Sequence, residues 1–599
     1  MNGRLGIGSA SIQCAAMIRI LLPLALLAAQ PAFAQSPPAT ADEALRNLYN
    51  AEWTWRQGEY AQIREEDDWV DGDRLPRVDA ASEQARVAYW TRMLTNLDRI
   101  DVAKLSPEER INAAVFRTTL EARVADGPFR TWEMPFNADS NFWSYLDARG
   151  PFMTAAQYRR YIGRMRDLPR FFGEHIVNMR SGLARGFSVP RPTLEGRDAS
   201  IAAFAVADPA KNPFYAAFDK MPATIPSAEQ ERLRAEARDA IAQGVVPAYT
   251  NLLTFFRTEY LPRARTTLAA EVMPEGKAFY QAQIRQYTTL DLTPEQIHQM
   301  GLKEVARIDA EMRNTMVRAG FKGSFEEFLA FLRTHPQFYA RTPDELMGVS
   351  AYVAKRVDGE LKDAFGTLPR YRFTIRPVPD AIAPFYTAGR GGLEACMMNT
   401  YNLPARPLFQ IPALTLHECA PGHSFQAALA LEGPDRPDFR KQTYFSGYGE
   451  GWGLYTEWLG TVMGIYRTPY EDFGRLSYEM WRAARLVIDT GIHHYGWSRD
   501  QAIDYLSSHT ALSRHEVDTE VDRYISWPGQ ALAYKLGEMT IRRKRADAEA
   551  KLGSSFDQRW FHDIILNLGS VPLPVLESEI DRWIVGGGKK PETSAKPGT

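Results

Sequence analysis

Apolar residues recur at every third or fourth position from residue 41 to about residue 365, a spacing typical of amphipathic helices. Ser106-Pro107 and Thr293-Pro294 each place a capping side chain before a proline, as helix starts commonly do. The pattern is clearest in five segments, 82–100, 106–124, 153–185, 227–260 and 293–316. The sequence therefore predicts a mainly α protein with a large helical body.

The pattern changes to strand-like alternation after residue 366. Residues 371–378 and 395–402 are predicted to be short strands, and helical periodicity resumes near Leu414. A small β-sheet is thus expected beside the later helices. The predicted domain covers residues 35–585, either as one body or as two halves around a cleft. The Gly-, Lys- and Pro-rich tail, residues 586–599, is predicted to be disordered.

The N-terminus has the features of a secretory signal peptide. Arg19 precedes the apolar run 20–28, and small residues flank Phe33 at a cleavage signal that ends at Ala34. Residues 1–34 are therefore expected to be removed, which predicts a periplasmic or secreted protein. No later segment reaches the roughly 18 apolar residues that span a bilayer.

The composition argues against a nucleic-acid-binding protein and against a disordered chain. The 599 residues have a formal net charge of -2, with 45% hydrophobic and 12% aromatic residues, which indicates a folded protein without a basic surface for nucleic acid. After cleavage near Ala34 only Cys396 and Cys419 remain. In an oxidising compartment they could form a disulfide, and two buried thiols are an equally good interpretation.

Candidate chemistry begins with the segment from His417 to His423, in which Glu418 follows the first histidine. It resembles the His-Glu-x-x-His helix that binds zinc in peptidases. Histidines six residues apart would point roughly 120° apart on an ideal helix. Pro421 must interrupt the helix, and a distorted turn could bring His423 back. The alternative is a capped helix whose histidines bind loop carbonyls.

A second segment supports a metal site. Glu450 and Glu457 lie seven residues apart on an otherwise apolar helix, so both carboxylates face the same side. Unpaired buried carboxylates are costly, and a cation between them and the histidines would remove that cost. Glu450 is the predicted third ligand, which leaves a fourth position for water. Glu457 would orient a ligand histidine or, as a less favoured alternative, bind the ion itself.

Four ordered motifs together resemble the bacterial domain-of-unknown-function 885 family. They are the His417–His423 segment, Glu450-Gly-Trp-Gly-Leu-Tyr-Thr-Glu457, Asp489-Thr-Gly-Ile-His493, and the segment from Arg523 through Tyr534 to Gly537. Members are mostly uncharacterised and regarded as metallopeptidase-like. The family is distantly similar to carboxypeptidase Taq, thimet oligopeptidase and angiotensin-converting enzyme. This resemblance implies a helical zincin-like body, a deep cleft and one Zn²⁺ per chain.

The resemblance also bears on the ligands. Carboxypeptidase Taq has a ligand glutamate with another glutamate seven residues later, which favours Glu450 as the ligand here. Members often have alanine and histidine where this chain has Cys419 and Ser424. The missing histidine removes one alternative ligand and leaves His423 as the better choice.

The other candidate residues each have more than one possible role. Asp489 and His493 share a helix face with Arg485, so Asp489 could orient His493 toward a reaction intermediate, or the three could form an ion-pair face. Tyr524 and Tyr534 are oxyanion donors or packed aromatic residues. Arg523 or Lys535 could bind the C-terminal carboxylate of a substrate. The backbone at Asn399, on a predicted strand, could bind an extended peptide.

The sequence thus predicts an exported zinc peptidase. Zn²⁺ bound by His417, His423 and Glu450 would activate water, and Glu418 would transfer the proton. A non-catalytic peptide-binding protein on a peptidase scaffold is the alternative from another class. A zinc hydrolase of another amide, such as a cell-wall peptide, is a third. Peptide length, end-specificity and oligomeric state stay open.

Overall fold

The fold is known from a computed structural model that describes residues 40–591 except 67, 149, 381, 382 and 386. It is 68% helix and 4% strand, which confirms the mainly α prediction. The predicted signal peptide and residues 592–599 lie outside the described residues. None of the helices in the described part of the chain has the length and apolarity that a bilayer crossing requires.

The described residues form twenty-two α-helices in one unit that begins at Ala41. The helices are α1 Ala41–Glu59, α2 Ala80–Leu97, α3 Pro107–Phe129, α4 Ala155–Arg185, α5 Asp198–Ala202, α6 Ser227–Ala240, α7 Val246–Phe255, α8 Leu261–Arg263, α9 Gly276–Thr288, α10 Pro294–Arg318, α11 Phe325–Thr334, α12 Pro343–Ala364, α13 Ile411–Glu418, α14 His423–Glu432, α15 Asp438–Lys441, α16 Ser446–Val462, α17 Pro469–His493, α18 Arg499–His509, α19 Arg514–Ser526, α20 Ala533–Leu552, α21 Gln558–Leu568 and α22 Leu573–Val585.

The five helical predictions are confirmed, four of them as the single helices α2, α3, α4 and α10. The fifth, 227–260, is broken into α6 and α7 by π-helical turns at Ile241–Val245 and Phe256–Tyr260. Each π turn is followed directly by a helix with proline in its first two positions. Because proline has no N–H to donate, the regular hydrogen-bond pattern cannot pass through it.

Five short strands in the described part of the chain form two sheets. Strands β1 (Gln62–Glu65) and β2 (Asp68–Asp71) make an antiparallel hairpin that the sequence pattern did not indicate. Strand β5 (Ala395–Met398) lies between β3 (Thr374–Pro377), which is parallel to it, and β4 (Gly389–Arg390), which is antiparallel. The predicted strands at 371–378 and 395–402 are confirmed in shortened form, and β4 is an addition.

A disulfide joins Cys396 to Cys419, with their Cα atoms 5.3 Å apart. Cys396 lies in β5, opposite Ile375 of β3, and Cys419 directly follows α13. Of the two interpretations of these cysteines, the bonded pair is the one in the structure. The bond attaches the C-terminal end of α13 to the small sheet.

Helices α16 and α20 pack backbone to backbone through glycines. A Cβ atom on Gly537 would lie 1.9 Å from the Gly447 carbonyl oxygen and 2.8 Å from the Gly451 Cα. Helix α17, which packs along α10, is buried on all sides over most of its length, as expected of a central helix. These contacts fix α16, the helix that carries Glu450 and Glu457.

The disordered tail was predicted to start at residue 586, but the structure describes the chain as far as residue 591. After α22 the chain turns at Gly587 and Gly588, both in the left-handed region, and the Trp583 indole donates to the Lys589 carbonyl at 2.7 Å. Lys590 lies over the Trp560 ring. The glycines allow this reversal, which gives a buried indole N–H an acceptor.

We expect Gly537→Ala to destabilise the fold by about 3 kcal/mol, since its methyl group cannot fit between two backbones. Chemical denaturation followed by circular dichroism would measure the loss. Gly348→Ala on α12 is the matched control, because open space surrounds Gly348 and alanine favours helix there. Equal stability of the two variants would contradict the close α16–α20 contact.

Candidate metal centre

The two histidines of the first motif lie on either side of a helix break. Helix α13 ends at Glu418, Cys419 leaves helical geometry with φ -95° and ψ -102°, and α14 begins at His423. The break turns the second imidazole back, so the two ring centroids are 4.9 Å apart. Gly422 is required here, since a Cβ would lie 1.8 Å from the His417 carbonyl oxygen. The predicted interruption is confirmed.

Glu450 completes a cluster of three ligand atoms. Its Oε2 lies 3.7 Å from His417 Nε2 and 3.4 Å from His423 Nε2, and all three atoms lie within 4.8 Å of one another. No other three His, Cys, Asp or Glu groups among the described residues are so arranged. Ligand atoms about 2.1 Å from a tetrahedral zinc would be about 3.4 Å apart. The donor set and its spacing therefore fit Zn²⁺.

The His417 ring is held between two carboxylates of one helix. Its Nδ1 lies 2.8 Å from Glu457 Oε1, and its Nε2 faces Glu450. Donation from Nδ1–H to Glu457 leaves the Nε2 lone pair for an ion. Arg482 lies 3.6 Å from the same Glu457 oxygen. Glu457 therefore has the predicted orienting position, which favours Glu450 as the ligand.

Helix α16 approaches His417 closely because residue 453 is glycine. A Cβ there would lie 2.7 Å from His417 Cε1 and 2.8 Å from Nε2. The Thr456 hydroxyl donates to the Leu416 carbonyl at 3.0 Å, and the Trp452 indole donates to the Pro421 carbonyl at 2.9 Å. Sequence reasoning missed Gly453, although the high glycine content of 447–453 was a signal of close packing.

In this cluster, contacts between the histidines and the carboxylates shift the pKa of His417 and of Glu450 in the direction that favours the charged forms. Burial lowers the pKa of His417, but its contacts with Glu450 and Glu457 outweigh that effect and raise the pKa to about 10. For Glu450, burial raises the pKa, while the two histidines hold it well below its usual range. The site therefore stabilises negative charge on Glu450.

Glu418 is adjacent to the cluster but is not part of it. It is half-buried, and its Oε2 accepts a hydrogen bond from the Gly391 N–H at 2.6 Å. Gly391 follows β4 and allows a close approach, since a Cβ would lie 2.7 Å from the His423 Cβ. The Ser424 hydroxyl accepts from the Gly392 N–H and donates to the Glu418 carbonyl. The segment after β4 thus orients a carboxylate that is not one of the three clustered groups.

Tyr444 is a site residue that sequence reasoning missed. Its hydroxyl donates to Glu450 Oε1 at 3.2 Å, although 57% of the residue is exposed. Its ring lies across Gly449, where a Cβ would be 2.3 Å from the hydroxyl oxygen. Tyr534 and Glu418 both lie near this hydroxyl. The only sequence signal was its position six residues before Glu450.

Comparison with known proteins is consistent with this arrangement of motifs. The family model described as "Bacterial protein of unknown function (DUF885)" matches residues 57–580. The chain belongs to this family. Among curated proteins, none matches the sequence.

Two solved structures resemble this DUF885 chain. One is a "putative lipoprotein" from Colwellia psychrerythraea, 26% identical, with a TM-score of 0.83 over 91% of this chain and 100% of that chain. The other is a "putative lipoprotein of unknown function" from Shewanella oneidensis, 16% identical, with a TM-score of 0.63 over 90% and 99% of the two chains. The second likeness concerns the fold alone.

The structure does not bring His493 and Asp489 to the metal centre. Both His493 nitrogens bind backbone, since Nδ1 accepts from the Ala270 N–H and Nε2 lies 2.9 Å from the Tyr524 carbonyl. Burial lowers the pKa of His493 to about 3. Asp489 accepts from the Tyr280 hydroxyl and the Gly529 N–H, so it does not orient His493. Both residues stabilise packing around α17.

The two candidate tyrosines of this DUF885 protein differ. Tyr524 is buried, and its hydroxyl accepts from the Trp481 indole and from Arg485. It is a packed residue and not an accessible oxyanion donor. The Tyr534 hydroxyl accepts from Arg523 at 3.3 Å and lies near Tyr444, which donates to Glu450. Tyr534 is therefore the phenol of the pair that lies toward the cluster.

Two of the expected substrate-binding residues have structural roles. Lys535 is completely buried and pairs with Glu304, Glu479 and Glu538. The Asn399 amide donates to the carbonyls of Ala383 and Thr387, which fixes the loop before β4. The Lys535 side chain is therefore not available to a peptide, and the backbone N–H of Asn399 already donates to the Ala388 carbonyl at 2.9 Å. Helical spacing and strand position in the sequence did not reveal these partners.

We expect purified protein to contain about one zinc per chain and His417→Ala or Glu450→Ala to lose most of it. Glu457→Ala should weaken zinc binding about 10- to 100-fold, since it only orients His417. Metal analysis and competition with a chelator would measure both effects. His509→Ala, outside the cluster, is the control. Weaker binding in Glu457→Ala than in Glu450→Ala would reverse the ligand assignment.

We also expect Gly453→Ala to lower zinc affinity at least about 10-fold, because the added methyl group displaces the His417 ring. The same chelator competition would report it. Gly359→Ala on α12, where nothing lies within 4 Å, controls for the substitution itself. Unchanged zinc affinity in Gly453→Ala would show that the ring position does not depend on this contact.

Proposed function

We propose that this DUF885 protein is an exported zinc-dependent peptidase that hydrolyses peptide bonds. One observation carries the proposal. Three candidate ligand atoms lie within 4.8 Å of one another, two of the distances being 3.4 and 3.7 Å, and the carboxylate of Glu418, next to His417 in sequence, is outside this set. A site with three protein ligands and a neighbouring carboxylate is typical of catalytic zinc, whereas structural zinc sites have four protein ligands.

The metal ligands and Glu418 would have separate roles in the reaction. Zinc held by His417, His423 and Glu450 would supply Lewis acidity and a nucleophilic water at neutral pH. Glu418 would be the general base of the reaction, holding a proton on its carboxylate and delivering it to the leaving amine. The Gly391 N–H fixes one Glu418 oxygen, so the other is oriented for proton transfer.

A tyrosine hydroxyl would stabilise the oxyanion. The Tyr444 hydroxyl contacts Glu450 and Tyr534 lies near Tyr444, so a hydroxyl from either would be a donor to the oxyanion that forms on the scissile carbonyl. Tyr444 is the more accessible of the two. The half-buried state of His423, Glu418 and Glu450 allows a substrate to approach, and a deep cleft over them is part of the proposal.

Export is supported by two features. The Cys396–Cys419 disulfide is typical of an oxidising compartment. The Colwellia and Shewanella structures are each described as a "putative lipoprotein". Periplasmic or secreted location after cleavage near Ala34 is therefore part of the same proposal.

A peptide library digested before and after chelation tests the activity. Zinc-dependent cleavage supports a peptidase. Tight peptide binding without cleavage would favour the non-catalytic binding protein. Absence of both, with zinc present, would leave hydrolysis of another amide.

Glu418→Gln isolates the chemical step. We expect the variant to keep its fold and zinc but to lose about 10²- to 10⁴-fold in turnover, because the amide cannot accept the proton. Glu360→Gln, an exposed carboxylate on α12, is the control. Unchanged zinc-dependent turnover in Glu418→Gln would reject Glu418 as the base even if the metal site is right.

A further inference from the structure

Two arginines beside Tyr534 share one carboxylate. Arg485 Nη2 lies 2.8 Å from Glu520 Oε2, and Arg523 Nη1 lies 3.5 Å from Glu520 Oε1. Asp139 acts on Arg523 electrostatically without an ion-pair contact. Two guanidinium groups in direct contact with a single carboxylate leave positive charge that is only partly compensated. Such charge in a mostly buried place favours an anionic ligand.

Each of the two guanidinium groups has an N–H group without a hydrogen-bond acceptor among the described residues. Arg523 Nη2 donates to the Gln530 amide oxygen at 2.7 Å and to the Tyr534 hydroxyl at 3.3 Å, and Arg485 Nε donates to the Tyr524 hydroxyl. Arg523 Nε and Arg485 Nη1 are buried and have no hydrogen-bond partner among the described residues. Buried donors without partners are uncommon in folded proteins. The cluster therefore has capacity for another acceptor.

Of Arg523, Arg485 and Lys535, Arg523 is the one whose side chain can reach a ligand directly. The Arg523 side chain is 18% exposed, whereas Arg485 is 2% exposed and is held between the Trp481 and Tyr534 rings. Lys535 is fully buried among three carboxylates. Arg523 is thus the accessible donor, and Arg485 supports it from behind.

The position of this cluster relates it to the metal centre. Arg523 contacts the Tyr534 hydroxyl, Tyr534 lies near Tyr444, and Tyr444 donates to the candidate ligand Glu450. A guanidinium fork matches a carboxylate in shape and charge better than other side chains do. Resting on the proposed function, we propose that Arg523, supported by Arg485, binds the C-terminal carboxylate of a peptide, so that the enzyme removes residues from the carboxyl end.

The reaction has a consequence for its products. Each cleavage consumes one water, breaks one C–N bond, gives the released fragment its amine and leaves a new carboxylate on the remaining peptide. That carboxylate is again a ligand for Arg523. Digestion therefore proceeds stepwise from one end, and mass spectrometry should show a ladder of peptides shortened at the C-terminus.

A comparison of free acids with amides tests the proposal. The probe is a randomised tetrapeptide library made in two forms, with a C-terminal carboxylate and with a C-terminal amide. We expect wild-type kcat/KM to be about 10- to 100-fold higher for the acids, as a charge-assisted contact implies. Arg523→Gln should bring the ratio near one. Because both forms share the chemical step, any effect through Tyr534 cancels in the ratio.

Two further variants test whether the shape and the position of the guanidinium group matter. Arg523→Lys keeps a positive charge without the fork and should give an intermediate ratio. Arg514→Gln removes an exposed arginine of the same helix, α19, and should leave the ratio unchanged. Zinc content and circular dichroism confirm that each variant is folded. A ratio that persists in a folded Arg523→Gln would overturn the proposal.

Failure of this inference differs from failure of the proposed function. Zinc-dependent cleavage of acids and amides at equal rates, or at internal bonds without a ladder, overturns the carboxylate site and leaves the peptidase intact. If neither form is cleaved, the peptidase proposal fails and calorimetry on the wild type decides the site. Tighter binding of the acids that is lost in Arg523→Gln supports it, and equal or undetectable binding of both forms overturns it.

Discussion

The imidazole of His417 lies between two carboxylates of α16, and the candidate site depends on this contact. Glu450 faces one ring nitrogen and Glu457 binds the other. The ring can occupy this position only because Gly453 has no side chain where the two helices meet. A helix that carried any larger residue there would lie farther from α13 and would separate the carboxylates from the ring.

The second histidine depends on a different constraint. The break between α13 and α14 returns His423 to the cluster, and three neighbours stabilise that break. Trp452 binds the Pro421 carbonyl, Gly422 allows the chain to pass over His417, and the disulfide holds Cys419 on the sheet. The small sheet, although only a minor part of the fold, therefore positions both the second histidine and Glu418.

Local rules were enough for the parts of the site that lie within one segment. Proline chemistry predicts the break near Pro421, and helical spacing places Glu450 and Glu457 on one face. Contacts between distant segments were not predictable from one sequence. Gly453, Gly391 and Tyr444 have meaning only once α16, β4 and the loop before α16 are assembled around His417. Lys535 and His493 were misinterpreted for the same reason, since burial and partners, not spacing, decide what a polar residue does.

The glycine contact between α16 and α20 has a consequence for how the site can vary. Glu450 and Glu457 belong to one rigid rod that is pressed against a second backbone at Gly537. A change of one residue in the register of α16 would rotate both carboxylates by about 100° at once. A shift of α16 therefore moves the candidate ligand Glu450 and the carboxylate that orients His417 together, whereas a substitution at Glu457 changes only the second of these groups.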